Sequence, residues 1–159
     1  MDKLHHNSKL IKPFTINVTE ETLEDILARV RSFPWAVMAE LDGWDHGTNL
    51  DYMKKFCDYW VDEYSWRQQE AAINRLNHFV APVDDLDIHF IHEKGSGLSP
   101  MPLIISHGWP GTVVEFLELV EPLAHPERFG GQVEDAFDVI APSLPGFGFS
   151  GKPSCPIGP

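Results

Sequence analysis

Two short apolar runs with a helical stretch between them constrain the fold more than any other feature of the chain. Pro102–Ser106 (PLIIS) is continuously apolar, as a strand buried on both faces would be. Thr112–Ala124 follows with Val113, Phe116, Leu117 and Val120 on one helical face, and Phe137–Pro142 (FDVIAP) is a second buried-type strand. Strand, helix, strand is a βαβ unit, so the C-terminal half reads as α/β. Just upstream, Leu86, Ile88 and Phe90 alternate with Asp87, His89 and Ile91, which suits one more strand. KGSGLSPMP is a turn-rich connector and HPERFGGQVED a polar loop.

The N-terminal half has a different period. Thr19 precedes Glu20 and Glu21, an N-cap followed by acids where the helix dipole favours them. Leu23, Ile26, Leu27 and Val30 then recur on one helical face, and Pro34 predicts an end near Ser32. WAVMAELDGWDHGTN has no period and reads as a loop. Leu50 to Phe79 reads as helix again, with Met53, Phe56, Trp60 and Tyr64 on one stripe. A break near Ser65 is expected, with Ala72, Ile73, Leu76 and Phe79 continuing the pattern until Pro82 closes it. Aromatic stripes of this kind are expected to be core.

A length of 159 residues suits one domain with enough apolar material for a core. Twelve basic against twenty-four acidic residues leave a net charge of -12, which argues against nucleic acid or an anionic membrane surface as partner. Cys57 and Cys155 stand in no metal or redox spacing and read as free thiols of a reducing compartment. The polar start, MDKLHHNSKLIKPF, has no apolar stretch suited to a signal peptide. Nothing later approaches the roughly 20 apolar residues of a membrane span. A soluble, cytoplasmic protein is the expectation.

Few residues offer chemistry. His89 and His92, three apart on a strand, point to opposite faces and cannot share a metal ion, so no metal site is expected. Gly146, Gly148 and Gly151 match a dinucleotide fingerprint, but Lys152-Pro153 follows where a helix should open, so no cofactor is expected. A Gly-flanked serine elbow, a P-loop and a CxxC pair are all missing from the sequence. There remains His107-Gly108-Trp109-Pro110-Gly111, between a strand and a helix, where ligands bind in α/β sheets. Gly108 and Gly111 admit backbone conformations that a Cβ forbids, and Trp109-Pro110 is a bond that can be cis. Such a turn can hold the Trp109 N–H free of any ladder, as an oxyanion hole requires. A tight turn with a packed Trp fits these five residues equally well.

The wider context separates the two. PLIISHGWPGTVVEF and FDVIAPSLPGFGFS, with YWVDEYSWRQQEAAIN (Tyr59–Asn74) and IHFIHE (Ile88–Glu93) upstream, resemble the epoxide hydrolases of the microsomal and juvenile-hormone type. The likeness runs from Phe14 to Ser150; Ser65 departs from it, standing where an acid is expected before Trp-Arg. The resemblance implies an α/β-hydrolase fold preceded by a helical segment that wraps the catalytic domain. It implies an Asp that opens the epoxide to form an ester, a His–acid pair that activates water, and two lid tyrosines that protonate the leaving oxygen. It assigns one oxyanion donor to the Trp109 backbone N–H, with His107, Gly108 and Pro110 shaping the turn. The second donor belongs to the residue after the nucleophile.

On that basis residues 1–84 are expected to be the helical segment and 85–159 the first strands and helix of a truncated α/β-hydrolase domain. No Asp of the chain sits in a Gly-flanked elbow, so the chain alone is expected to be inactive. Two functional classes follow. One is the N-terminal portion of an epoxide hydrolase, whose partner is a small epoxide. The other is a non-catalytic paralogue that acts as a binding module. In either, the PLIIS strand is expected to lie at an open sheet edge where the chain self-associates.

Overall fold

The computed structural model describes residues 11–38 and 43–154. Cys155 and part of the loop read over residues 35–49 lie outside them. Packing divides the chain into two units. Among the described residues, one holds 11–16 together with 71–154, and the other holds 17–38 and 43–70.

The first unit is built on a mixed sheet of five strands. They are β1 (Lys12–Phe14), β2 (His78–Val83), β3 (Leu86–Glu93), β4 (Met101–Ile104) and β5 (Phe137–Pro142), in the spatial order β1-β2-β3-β5-β4. β4 and β5 pair in parallel, Leu103 beside Val139, so the βαβ unit read from the sequence is present. The helix between them is in two parts. Thr112 and Glu115 form a capping box that opens a 3₁₀ turn over Val113–Phe116. An α-helix, Leu117–Ala124, continues it. Val113, Val120 and Ala124 then pack with Leu76, Ile91, Val139 and Ala141 as the core. The polar loop 125–135 contains two further 3₁₀ turns, Pro126–Phe129 and Val133–Asp135.

Three sequence expectations are corrected here. The helix expected to reach Phe79 stops at Ile73, and His78–Val83 is instead the first strand of a hairpin, Val83 opposite Leu86. Asp84, at φ 51, turns the chain between them. Pro82 is tolerated because β1 pairs only as far as Val80. On β3 the fully buried residues are His89 and Ile91, not the Leu86, Ile88 and Phe90 set. β4 is not buried on both faces: it is one of the two edge strands among the described residues, with Met101 66% and Ile104 68% exposed. Pro102 lies within it, as proline does in edge strands. β1, three residues with a proline at its centre, carried too little pattern to be read.

The second unit contains the helices Glu20–Arg31 (α1) and Leu50–Asp62 (α2), and most of Trp66–Ile73 (α3). Thr19 caps α1 through Thr22 N–H, and Ser32 ends it, as expected. The break near Ser65 is present, and the Ser65 hydroxyl accepts from Gln68 N–H at the start of α3. Neither α1 nor α2 buries a side chain, so their apolar stripes are not the core that the sequence suggested. Among the described residues the buried side chain of this unit is Glu70, which accepts from Val18 N–H at 2.7 Å, Trp66 Nε1 at 3.1 Å and Arg67 Nη1 at 2.6 Å. The bond from the Val18 N–H, followed by those from Arg67 and Trp66, holds the Glu70 carboxyl below its ordinary range against the opposing effect of burial.

Candidate active site

The chain leaves β4 through Ile105, whose N–H still bonds Ile140, and enters His107–Gly111 at the carboxyl end of the parallel pair. Gly111 N–H donates to Gly108 O at 2.8 Å and closes a four-residue turn, within which the Trp109–Pro110 bond is cis. Trp109 stands 82% exposed, and no acceptor among the described residues takes its backbone N–H. The glycines play parts different from those expected. Neither Gly108 nor Gly111 has positive φ; a Cβ on Gly111 would displace the Glu115 carboxylate, which accepts from Thr112 N–H, and would crowd Gly108 O. Nothing in the structure explains Gly108, whose missing Cβ would meet only open space.

His107 is buried and determines how the turn is held. Leu144 N–H donates to its Nε2 at 3.1 Å, so that nitrogen carries no proton. Nδ1 therefore carries it and donates to Gly108 O at 3.1 Å. The imidazole thus ties the turn after β4 to the loop after β5, with the Phe147 ring edge-on against it at 5.7 Å between centroids. Pro110 completes the turn from within. The four residues read as a site from sequence are adjacent in space, and Leu144 and Phe147 join them. Those two were missed, because a backbone N–H reaching a ring 37 residues away leaves no sequence signal.

His78, His89, His92 and His125 have other partners. His92 meets Asp138 at 3.2 Å across the β3–β5 pair, while His89 faces His78 and Ser143. Ser96, for which no role was read, lies 2.6 Å from His125 Nδ1, a nucleophile-and-base pairing on first inspection. Its proton, however, goes to Glu127 at 2.8 Å, so His125 is not placed to remove it. Ser96 precedes β4, and His125 and Glu127 precede β5, at the opposite end of the parallel strands from Trp109. The cavities, about 680 and 660 Å³, lie within the helical unit, the first between Leu23, Ile26 and Leu27 of α1 and Phe56, Tyr59 and Trp60 of α2. Neither is lined by the His107–Gly111 turn.

Residues 11–116 match the family model for the epoxide hydrolase N terminus. The chain belongs to the epoxide hydrolase family. Residues 101–158 also match the model for the α/β hydrolase fold. Epoxide hydrolase 1 of Sus scrofa is 38% identical over 144 residues, 88% of this chain and 32% of that protein. Juvenile hormone epoxide hydrolase 1 of Ctenocephalides felis is 35% identical, over 88% of this chain and 30% of its own length. The crystal structure of juvenile hormone epoxide hydrolase from the silkworm Bombyx mori superimposes with a TM-score of 0.80 at 30% identity, covering 96% of this chain and 36% of that one. The chain thus spans about a third of the epoxide hydrolases it matches, and its mixed sheet and helices are those of a partial α/β-hydrolase fold. Among the described residues no helix is long and apolar enough to cross a membrane.

Proposed function

We propose that the chain is the oxyanion-forming portion of an epoxide hydrolase, which converts epoxides to vicinal diols through an aspartyl ester. The observation that carries this reading is the Trp109 N–H, unpaired among the described residues and held by the His107–Leu144 tie at the carboxyl end of β4. Hydrolysis of an ester passes through a tetrahedral oxyanion. A fixed N–H aimed at the developing charge lowers that barrier by about 2.7–4 kcal/mol. Trp109 supplies the donor; His107, Gly108 and Pro110 hold it. The carboxylate, the base and the acids that act on the epoxide belong to the part of the enzyme beyond this chain, so the chain alone turns over no epoxide. The segmentation at 84/85 belongs to the same reading, but it cuts the β2–β3 hairpin: β1 and β2 of the sheet lie on its N-terminal side together with the helices.

Two further elements belong to this reading. The exposed Met101 and Ile104 on the β4 edge support pairing with a second copy when the chain stands alone, with Pro102 weakening the contact. The free thiol of Cys57 suits a cytoplasmic location.

Fusing residues 1–159 ahead of the remaining two-thirds of the Sus scrofa relative tests the function. The fusion is expected to hydrolyse styrene oxide, while the chain alone does not exceed buffer. Turnover by the isolated chain that disappears on changing one of its Asp residues would overturn the proposal, as would a folded but inert fusion.

A further inference from the structure

The core face of the sheet ends in polar side chains rather than apolar ones. Along β5, Val139 and Ala141 are followed by Ser143; along β3, Ile91 is preceded by His89; and His78 of β2 stands opposite Ile91. All three polar residues are buried, His89 and Ser143 completely. Their bonds run in one direction, which the chemistry of the last acceptor fixes. Ile73 O can only accept, so His78 Nε2–H donates to it at 2.9 Å. His78 Nδ1 is then a bare acceptor and receives His89 Nε2–H at 2.9 Å. His89 Nδ1, bare in turn, receives the Ser143 hydroxyl proton at 2.9 Å.

This relay sits at the neck of a loop. Ser143 N–H donates to His89 O, and Ser150 Oγ takes His89 N–H at 3.0 Å while donating to Ser143 O at 2.7 Å. Gly151 N–H bonds Asp87 O at 2.7 Å, and the Phe149 ring stands edge-on to the His89 ring. Gly148, at φ 50, passes so close to Ser143 Oγ that a Cβ would stand 2.8 Å from it. Both ends of Ser143–Gly151 are therefore fastened to His89 and its strand. The same loop carries Leu144 and Phe147, which hold His107.

We propose that the buried Ser143–His89–His78 relay is an acid-sensitive latch that fixes the Ser143–Gly151 loop and, through Leu144 and Phe147, the His107 turn. Protonation opposes the arrangement at each ring. A proton on His89 Nδ1 reverses the Ser143 hydroxyl and puts a charge where no water reaches. A proton on His78 Nδ1 sets two N–H donors face to face. Around the rings lie Phe14 of β1, Phe149 and Ser143 of the loop, and the Ile73 carbonyl. The charge-bearing neighbour that acts on His89 is His78, so no carboxylate compensates an imidazolium there. Burial accordingly pushes His89 down to about 4, with His78 adding to it. Burial lowers His78 as well, opposed by its bond to Ile73. The bearing of the latch on catalysis rests on the oxyanion reading above, but the latch itself is tested without any turnover.

The test is hydrogen exchange by mass spectrometry on the full chain from pH 7 to pH 3.5, corrected for intrinsic rates. Exchange at the imidazole C2 position reports the midpoint of each histidine. The expected result is a His89 midpoint far below that of a free imidazole. Peptides covering residues 143–151 and 104–112 should lose protection together through that midpoint, while residues 137–141 stay protected. Ser143→Ala should raise exchange of both loop peptides about tenfold at neutral pH, as loss of one buried bond does. If that variant does not fold, Ser150→Ala removes the other hydroxyl of the neck and should act in the same direction. A His89 midpoint near 6.5 would overturn the latch. So would loops that stay protected below the midpoint, or core and loop exchanging together. A failure of this kind would leave the oxyanion reading intact, and an inert fusion protein would leave the latch intact.

Discussion

In the sheet-bearing unit the buried side chains are mostly apolar, with Ile91, Val120 and Val139 fully enclosed, whereas in residues 17–70 the one buried residue among those described is Glu70. The first unit is held by apolar area removed from water, with a polar relay at one end of its core. The second is held at the residues before α1 and at α3 by hydrogen bonds converging on a carboxylate, while the apolar stripes of α1 and α2 stay partly open to solvent. The contrast separates two meanings of an amphipathic pattern. Leu23, Ile26, Leu27, Phe56 and Trp60 predict correctly that a helix forms, because period alone determines that. They do not predict what covers the helix, because cover depends on other parts of a chain.

Substitutions should reproduce this difference. The largest effect is expected from Ile91→Ala, which leaves a cavity beside Val139 and Val120 and should destabilise the sheet unit by about 2–5 kcal/mol in urea unfolding. A cost below the lower figure would mean that the core is looser than its burial shows. Acid comes next. His89 is held at about 4 in the fold against an ordinary 6.5, so between those values the unfolded chain binds the extra proton. Stability is therefore complete above about pH 6.5 and is lost as pH falls towards 4. With a slope of about 1.4 kcal/mol per pH unit across that window, the loss approaches about 3 kcal/mol. Urea titrations at a series of pH values would show that slope, and a flat response over this window would contradict a buried neutral His89.

A smaller effect, confined to the helical unit, is expected from Glu70→Gln, which keeps an acceptor but removes the charge that Arg67 and the Val18 N–H meet. Since the Glu70 carboxyl is held below its ordinary range, its contribution is present above that range and fades as pH falls through the folded value. Protease susceptibility of residues 17–70 should rise while the sheet unit is unchanged. The smallest effect is expected from Phe56→Ala. That ring is 44% exposed, and its removal should change stability by no more than about 0.5 kcal/mol. A larger loss would show that the α2 stripe is covered in solution.

The parts of this molecule that were legible in its sequence are those determined by neighbours along the chain. PLIIS and FDVIAP appear as the parallel pair, Thr19 as a cap, and His107–Gly111 as a turn between strand and helix with the Trp109 N–H left free. The hairpin strand His78–Val83 was hidden because Ala72, Ile73, Leu76 and Phe79 continue a helical period past the helix end. Phe79-Val80 and the Asp84-Asp85 turn were the available counter-signal. The relay was not legible at all. His78 and His89 are 11 residues apart and Ser143 a further 54, and only strand register brings their rings and hydroxyl into line. The same is true of Glu70, whose polar character gave no hint that it would be buried.

The most direct test of the oxyanion assignment replaces one atom. In the fusion with the remainder of the Sus scrofa relative, the Trp109 amide can be exchanged for an ester by incorporating the α-hydroxy analogue of tryptophan. This removes the N–H and leaves the side chain in place. The kcat for epoxide hydrolysis should fall by about 10²–10³ with little change in KM, because the donor meets charge that develops only in the transition state. An unchanged kcat would contradict the assignment of the oxyanion site to Trp109.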